Sequence, residues 1–191
     1  MTSPTPTESD ATPIRPKLTA EEALTRLLEL IRTSRTLSDF TPERVSQVMG
    51  VELDRSADGY RYYERVAPRW LHGFDYSAKY GRFMFSFDPQ PPGTSPDMTD
   101  ICQLDVDRFS SELEAMGFSK QAYYDSPPQP AYDPDTGTYD DSPRQGRLMK
   151  YTFDRMQDGL LEMRIDVYPR GEANDPPEKV LHDCISMIRI F

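Results

Sequence analysis

The placement of proline constrains the fold of this chain more than any other feature of its sequence. The chain has 18 prolines in 191 residues, and 16 of them fall in four clusters, at residues 4–16, 89–96, 127–143 and 169–177. Proline lacks the N–H that a sheet ladder needs and breaks helix interiors, so each cluster predicts a loop or a tail. The regular structure must therefore lie between the clusters.

Composition alone would suggest disorder, because only 37% of the residues are hydrophobic and 28% are charged. The chain nevertheless contains 11 Tyr, 9 Phe and 1 Trp, and such side chains bury large areas. Most of them lie between the proline clusters, which predicts folded elements separated by polar loops. Residues 1–17 offer little to bury and are predicted to be a disordered leader.

Capping residues and apolar spacing predict three helices. Thr19 and Glu22 form a Thr-x-x-Glu capping box before the first helix. Thr41 precedes a proline at the first position of the second helix, and Asp105 can cap the third. Helical periodicity marks the buried face of each; the residues are Leu24, Leu27, Leu28 and Ile31, then Val45, Val48 and Met49, then Val106, Phe109, Leu113 and Met116.

Alternating aromatic and aliphatic residues predict strands at 60–66, 70–76, 83–87, 118–124, 147–155, 161–167 and 185–190, with a further short strand at 101–104. Asp158 and Gly159 suit a type I′ hairpin turn. The predicted fold class is α+β, with helices packed on antiparallel sheet. Two tandem units, at 18–98 and 99–191, and one continuous domain are both compatible with this order.

Charge and cysteine content exclude several classes of protein. The net charge of −10 repels phosphate backbones, so no nucleic-acid partner is expected. There is no apolar stretch of about 18 residues, so no membrane span is expected, and the first residues do not resemble a secretory signal. Two cysteines are too few for a disulfide framework, and the simplest expected location is the reducing cytoplasm.

Candidate catalytic and metal-binding residues are sparse. The only sharp candidates are His72, His182 and Cys184, and a buried structural thiol is the favoured interpretation of Cys184. The sequence contains no metal-ligand set, phosphate loop or nucleophile pair of established spacing, so we predict neither an enzyme nor a cofactor. Binding of a cation by Asp133 and Asp135 is left open, although the stretch does not match a calcium-loop pattern.

The most unusual segment is a stretch of residues 123–144 that interleaves tyrosines, aspartates and prolines. Loops longer than about 12–15 residues in a compact domain are usually functional or disordered. Tyrosine anchors recognition surfaces, and carboxylates steer a basic partner towards them. Two interpretations stay open: a solvated, mobile loop, and a docking loop for a positively charged protein. Its candidate contact residues are Tyr123, Tyr124, Tyr132, Asp133, Asp135, Tyr139, Asp140 and Asp141.

A resemblance to known proteins supports this reading. The chain resembles the bacterial immunity proteins that neutralise secreted toxins, and its first half resembles the two-helix-plus-sheet unit of β-lactamase-inhibitor-like proteins. The resemblance rests on the first helical face, the start of the second helix and one strand; the residues are Leu24, Leu27, Leu28, Ile31, Thr41, Pro42, Phe83, Phe85 and Phe87. It implies a fold of helices on antiparallel sheet. It also implies steric occlusion of a toxin active site by acidic and aromatic groups, with a toxin that acts in the cytoplasm.

Two other functions stay open at this point. An acidic secretion chaperone would share the small size and charge, although such chaperones typically end in a helix and this chain ends in a β-prone run. An unrecognised enzyme would have to use the two histidines and Cys184. The oligomeric state is left open as well.

Overall fold

The computed structural model describes residues 14–126, 130, 132–139, 146–171 and 183–191. Within these residues the helices are α1 (Ala20–Arg32), α2 (Pro42–Met49) and α3 (Val106–Ala115), with short 3₁₀ turns at Leu37–Asp39 and Thr99–Ile101. The strands are β1 (Asp54–Ser56), β2 (Gly59–Ala67), β3 (Trp70–Ser77), β4 (Arg82–Pro89), β5 (Ser119–Tyr124), β6 (Tyr132–Asp133), β7 (Thr138–Tyr139), β8 (Leu148–Gln157), β9 (Leu160–Gly171) and β10 (Asp183–Ile190).

Eight of these strands form one antiparallel sheet in the order β1-β2-β3-β4-β10-β9-β8-β5, and β6 and β7 form a separate hairpin. The α+β fold class is thereby confirmed. Strands from both units predicted from the sequence share the sheet, because β4 pairs directly with β10. The division of the chain into units remains a prediction.

Local sequence signals account for the helix ends. The Thr19 hydroxyl accepts the Glu22 N–H while the Glu22 carboxylate accepts the Thr19 N–H, which completes the predicted capping box. At the end of α2, Gly50 has a φ of 68°, a left-handed conformation that favours glycine. The Asp105 carboxylate accepts the Arg108 N–H at the start of α3, as the sequence predicted.

The helices cover one face of the sheet, and period-2 alternation decides which strand residues meet them. Phe83, Phe85 and Phe87 on β4 are buried in the core, together with the apolar faces of α1, α2 and α3. On the opposite face one row of paired residues crosses the sheet; its members are Arg61, Asp75, Met84, Arg189, Asp166, Thr152 and Gln121. Alternating charge along this row is typical of a sheet face that meets water.

The two ends of the sheet differ in their connections. At one end the chain makes tight turns, at 57–58, 78–81 and 158–159, and both Asp158 and Gly159 have the positive φ of the predicted type I′ turn. The strand registers place Pro89, Tyr124, Leu148, Gly171 and Asp183 at the other end. The three longest connections between strands and helices, at 90–105, 125–147 and 172–182, all start there.

Two expectations about this end of the sheet were wrong. The predicted strand at 101–104 is not a strand: Ile101 ends the 3₁₀ turn and residues 102–104 are irregular, and at the start of that turn the Asp97 carboxylate accepts the Thr99 N–H at 2.7 Å. Cys184 is buried, but it is no free thiol, because a disulfide joins it to Cys102 across 82 residues of sequence. The disulfide links residues 90–105, the connection that precedes α3, to strand β10. The apolar side chains around Cys102 are therefore buried in the core although this connection is not part of the sheet.

The start of the described chain is fastened to β2 by a buried polar cluster. The Glu64 carboxylate accepts the N–H groups of Lys17 and Leu18 and the hydroxyl of Tyr62. His72 is fully buried, and its Nε2 lies 3.1 Å from the Leu18 carbonyl oxygen. Most of the predicted leader, residues 1–13, lies outside the described part of the chain.

Candidate functional site

The unusual Tyr/Asp/Pro segment leaves the sheet between β5 and β8, which are antiparallel neighbours. Its base is closed by two hydrogen bonds: the Asp125 N–H donates to the Arg147 carbonyl at 3.0 Å, and the Arg147 N–H donates to the Asp125 carboxylate at 2.5 Å. Gly146 lies so close that a Cβ there would overlap the Asp125 carbonyl. The segment is therefore a long excursion whose two ends are held together; we call residues 125–147 the excursion.

Two of the predicted contact tyrosines lie on β5, where the excursion begins. Tyr123 is 58% exposed and Tyr124 is 42% exposed, which is unusual for residues of a strand in a large sheet. They are exposed because β5 is an edge strand with β8 as its neighbour in the sheet. Tyr123 pairs regularly with Lys150 of β8, and a register shift follows it, so that Tyr124 pairs with Leu148.

Tyr123 rests on a charged network on the polar face of the sheet. The Lys150 ammonium lies 5.6 Å from the centre of the Tyr123 ring, within cation–π range. The same ammonium donates to the Asp166 carboxylate at 2.5 Å, and the Thr152 hydroxyl donates to the other carboxylate oxygen at 2.8 Å. Asp166 is only 4% exposed, so the network holds Lys150, and through it the ring of Tyr123, in a fixed position.

The helix side of this edge carries negative charge. The Lys120 ammonium lies 4.2 Å from the centre of the Tyr151 ring, so this cation is folded back over the sheet. Burial raises the pKa of Tyr151, and the nearby Asp183, Tyr124 and Asp107 raise it further because they disfavour a second negative charge. The carboxylates of Asp107 and Asp183 thus act on the same patch as Tyr124.

The excursion contains the hairpin of β6 and β7. Residues 134–137 make its turn, and Gly137 supplies the positive φ of 69° that the turn requires. Asp135 and Tyr139 are exposed on this hairpin, and Tyr139 is exposed to 61%. The side chains of Tyr132 and Asp133, and the whole of Asp140 and Asp141, lie outside the described part of the chain.

Neither of the two candidate catalytic residues in the described part of the chain, His72 and Cys184, is available for chemistry. His72 lies in the packed core, with its ring centre 6.1 Å from that of Tyr62 and 6.0 Å from that of Phe85. Cys184 is consumed in the disulfide, and His182 lies outside the described residues. Within the described ranges no three His, Cys, Asp or Glu side chains cluster as metal ligands, and cation binding by Asp133 and Asp135 remains a prediction.

Sequence reasoning missed the residues that support this site. Lys150 and Asp166 are separated along the chain and meet only because β8 pairs with β9. The alternation of β8 does place Lys150 on the face opposite Tyr151 and Phe153, which was the one available signal. For Gly146 the sequence offered no signal, since its role depends on the backbone of Asp125.

Comparison of the chain with protein-family models, with curated proteins and with solved structures finds no match in any of the three. In the described part of the chain, no helix has both the length and the apolar character needed to cross a membrane. The function must therefore be argued from the site itself.

Proposed function

We propose that this chain is a non-enzymatic binding protein, an immunity protein that occludes the active site of a secreted bacterial toxin with the acidic and aromatic surface of the excursion. The observation that carries the proposal is the pinned base of the excursion beside Tyr123 and Tyr124. A long loop that is closed at its base presents its side chains on a stable support, which lowers the ordering cost of binding.

The chemistry of the surface favours a basic protein partner. Exposed tyrosines supply contact area with little loss of rotamer entropy, and aromatic residues are enriched among the residues that dominate binding energy. The negative charge of the chain as a whole, and of Asp107 and Asp183 around Tyr151, would accelerate association with a positively charged surface.

The two alternatives have less support in the described residues. A secretion chaperone of the kind considered above would have a helix where this chain has β10, a strand in the middle of the sheet. An enzyme built on the predicted candidates would need a free Cys184 and an accessible His72, and these are disulfide-bonded and buried.

The disulfide bears on the compartment in which this partner is met. A disulfide persists in oxidising compartments and is rare in the reducing cytoplasm. The cytoplasmic location predicted from the cysteine count thus remains untested, and the bond between Cys102 and Cys184 argues against it. We propose that the immunity function is exercised under oxidising conditions.

The test is a comparison of partner capture and toxin protection by three forms of the full chain. The wild type should capture a basic protein from the source bacterium and protect cells that are exposed to that protein. Tyr123→Ala should weaken the complex by about 5–30-fold, the range expected for an anchoring tyrosine. If deletion of the gene leaves the source strain equally resistant to the captured protein, the immunity proposal is wrong.

Tyr80→Ala is the matched control. Tyr80 is as exposed as Tyr139, at 61%, but it lies in the turn between β3 and β4, at the opposite end of the sheet from the excursion. Its removal should leave capture and protection unchanged. An equal loss of partner capture in both variants would show that exposed tyrosines act only through nonspecific adhesion or through the folding stability of the chain.

A further inference from the structure

Among the described strands none pairs with the outer edge of β5, the last strand of the sheet, whereas the opposite edge is blunted. A sheet edge presents unpaired N–H and C=O groups, and proteins usually protect such edges by shortness, charge or cover. β1, at the far edge, has only three residues, and its Arg55 guanidinium is paired with the Glu43 carboxylate at 2.7 Å. β5 has six residues, five of which are exposed.

The lysine of β5 does not protect the strand edge. A lysine on an edge commonly projects outward and repels an incoming strand. Lys120 does the reverse, because its ammonium lies over the rings of Tyr151, at 4.2 Å, and Phe153, at 5.9 Å, on the neighbouring β8. The register shift between Tyr123 and Tyr124 affects only the last residue of the strand, so the preceding pairs with β8 are regular.

The side chains around this edge specify what could pair with it. The two exposed tyrosines at the end of β5 can each cover a neighbouring side chain of an added strand. The carboxylates of Asp107 and Asp183 act on Tyr151, the β8 residue that pairs with Ala122 of β5. A second copy of this chain, with its net charge of −10, would be repelled here, whereas an extended segment with basic side chains would be attracted.

The geometry points to strand addition as the recognition mode: an extended basic segment of the partner pairs with the outer edge of β5 and continues the sheet. This inference rests on the proposed function for the identity of the partner, but not for the chemistry of the edge. Main-chain hydrogen bonds to β5 supply affinity that does not depend on sequence, and the tyrosines and carboxylates select for basic side chains.

The experiment uses the full chain and a short synthetic peptide of alternating lysine and valine, a strand-forming basic probe. Binding is followed by fluorescence anisotropy of the labelled peptide, and the site by amide hydrogen exchange. We expect saturable binding with slowed exchange on β5, binding at least about tenfold weaker for Tyr123→Ala, and unchanged binding for Tyr80→Ala.

Two control peptides separate strand pairing from charge. A lysine–valine peptide that is N-methylated on successive residues keeps every side chain and charge but loses the N–H donors of both edges. It should bind at least about tenfold more weakly. A glutamate–valine peptide should not bind. Equal binding of the methylated peptide, or protection of other strands instead of β5, would overturn the inference.

Failure of this inference and failure of the proposed function give different results. If no peptide binds while partner capture still depends on Tyr123, strand addition is refuted and the docking surface stands. If the peptide binds β5 but capture of the protein partner does not depend on Tyr123, the β5 edge can accept an added strand and the immunity proposal fails. The chain alone is also examined by sedimentation. If it sediments as a dimer, and Tyr123→Ala dissociates that dimer, a second copy of the chain occupies the β5 edge and the inference is overturned.

Discussion

The disulfide between Cys102 and Cys184 gives the largest effect on stability that the structure allows us to calculate. The two Cα atoms are 5.3 Å apart, both residues are buried, and they are separated by 82 positions along the chain. In the chain-entropy account, a crosslink closing a loop of this length stabilises the folded state by about 4.5 kcal/mol, because it restricts the unfolded chain. Domains are stable by only about 5–15 kcal/mol in total.

The perturbation is the double substitution Cys102→Ala and Cys184→Ala, compared with the oxidised wild type by urea unfolding. We expect the free energy of unfolding to fall by about 4.5 kcal/mol and the melting temperature by about 9–18 °C. The dependence of this free energy on urea should steepen, because the unfolded state becomes more expanded. A reductant should lower the stability of the wild type similarly and leave the double variant unchanged.

The result that would refute this reasoning is a loss below about 1 kcal/mol, which is typical of ordinary substitutions. Such a result would mean that the crosslink contributes nothing through the unfolded chain. Alkylation of the protein unfolded in urea without reductant, followed by mass measurement, checks that the starting material is oxidised. Two accessible or slowly reacting thiols in the wild type would contradict the structure directly.

Three further predictions concern the clusters around the site and the core. Burial lowers the pKa of His72 below its ordinary 6.5, so the unfolded chain binds a proton more readily than the folded one. The free energy of unfolding should therefore fall as the pH drops below 6.5, by up to about 1.4 kcal/mol per pH unit. Urea titrations from pH 7.5 to 5 should show this slope, and His72→Gln should flatten it; an unchanged slope would assign it to other groups. Gly146→Ala should push the two ends of the excursion apart at Asp125 and speed amide exchange at its base with little change in melting temperature, and unchanged exchange would contradict the close approach. Asp166→Ala leaves Lys150 without its partner and should lower the unfolding free energy by about 2–4 kcal/mol, and a loss under about 0.5 kcal/mol would show that the pair is not structural.

The sequence predicted features that depend on neighbours along the chain. The capping box of Thr19 and Glu22, the left-handed Gly50 and the turn at Asp158 were all predictable, because each depends on residues within one helical or hairpin turn. Period-2 alternation likewise placed Phe83, Phe85 and Phe87 in the core. These signals sufficed for the α+β class.

The sequence did not predict features that depend on which distant strands are adjacent. The pairing of β4 with β10 and the bond between Cys102 and Cys184 join parts of the chain far apart in sequence, and no local pattern encodes them. The apolar stretch at 101–104 was mistaken for a strand for the same reason, since its side chains enter the core through a turn that the disulfide fastens. Within the site, Tyr123 and Tyr124 were identified, but the Lys150 network beneath them was not.

The positions of the long-range links explain why the excursion can be long and still carry function. The long connections leave from the end of the sheet that contains Pro89, Leu148 and Gly171. A disulfide and several hydrogen bonds hold the connections at 90–105 and 125–147 at that end. The disulfide ties the connection before α3 to β10, and the Arg170 guanidinium donates to the Pro96 carbonyl of the same connection at 2.7 Å. Asp125 and Arg147 close the base of the excursion. Because the support is crosslinked, mobility in the loop tip would not spread into the strands, so reduction of the disulfide should weaken partner binding even though no cysteine touches the partner.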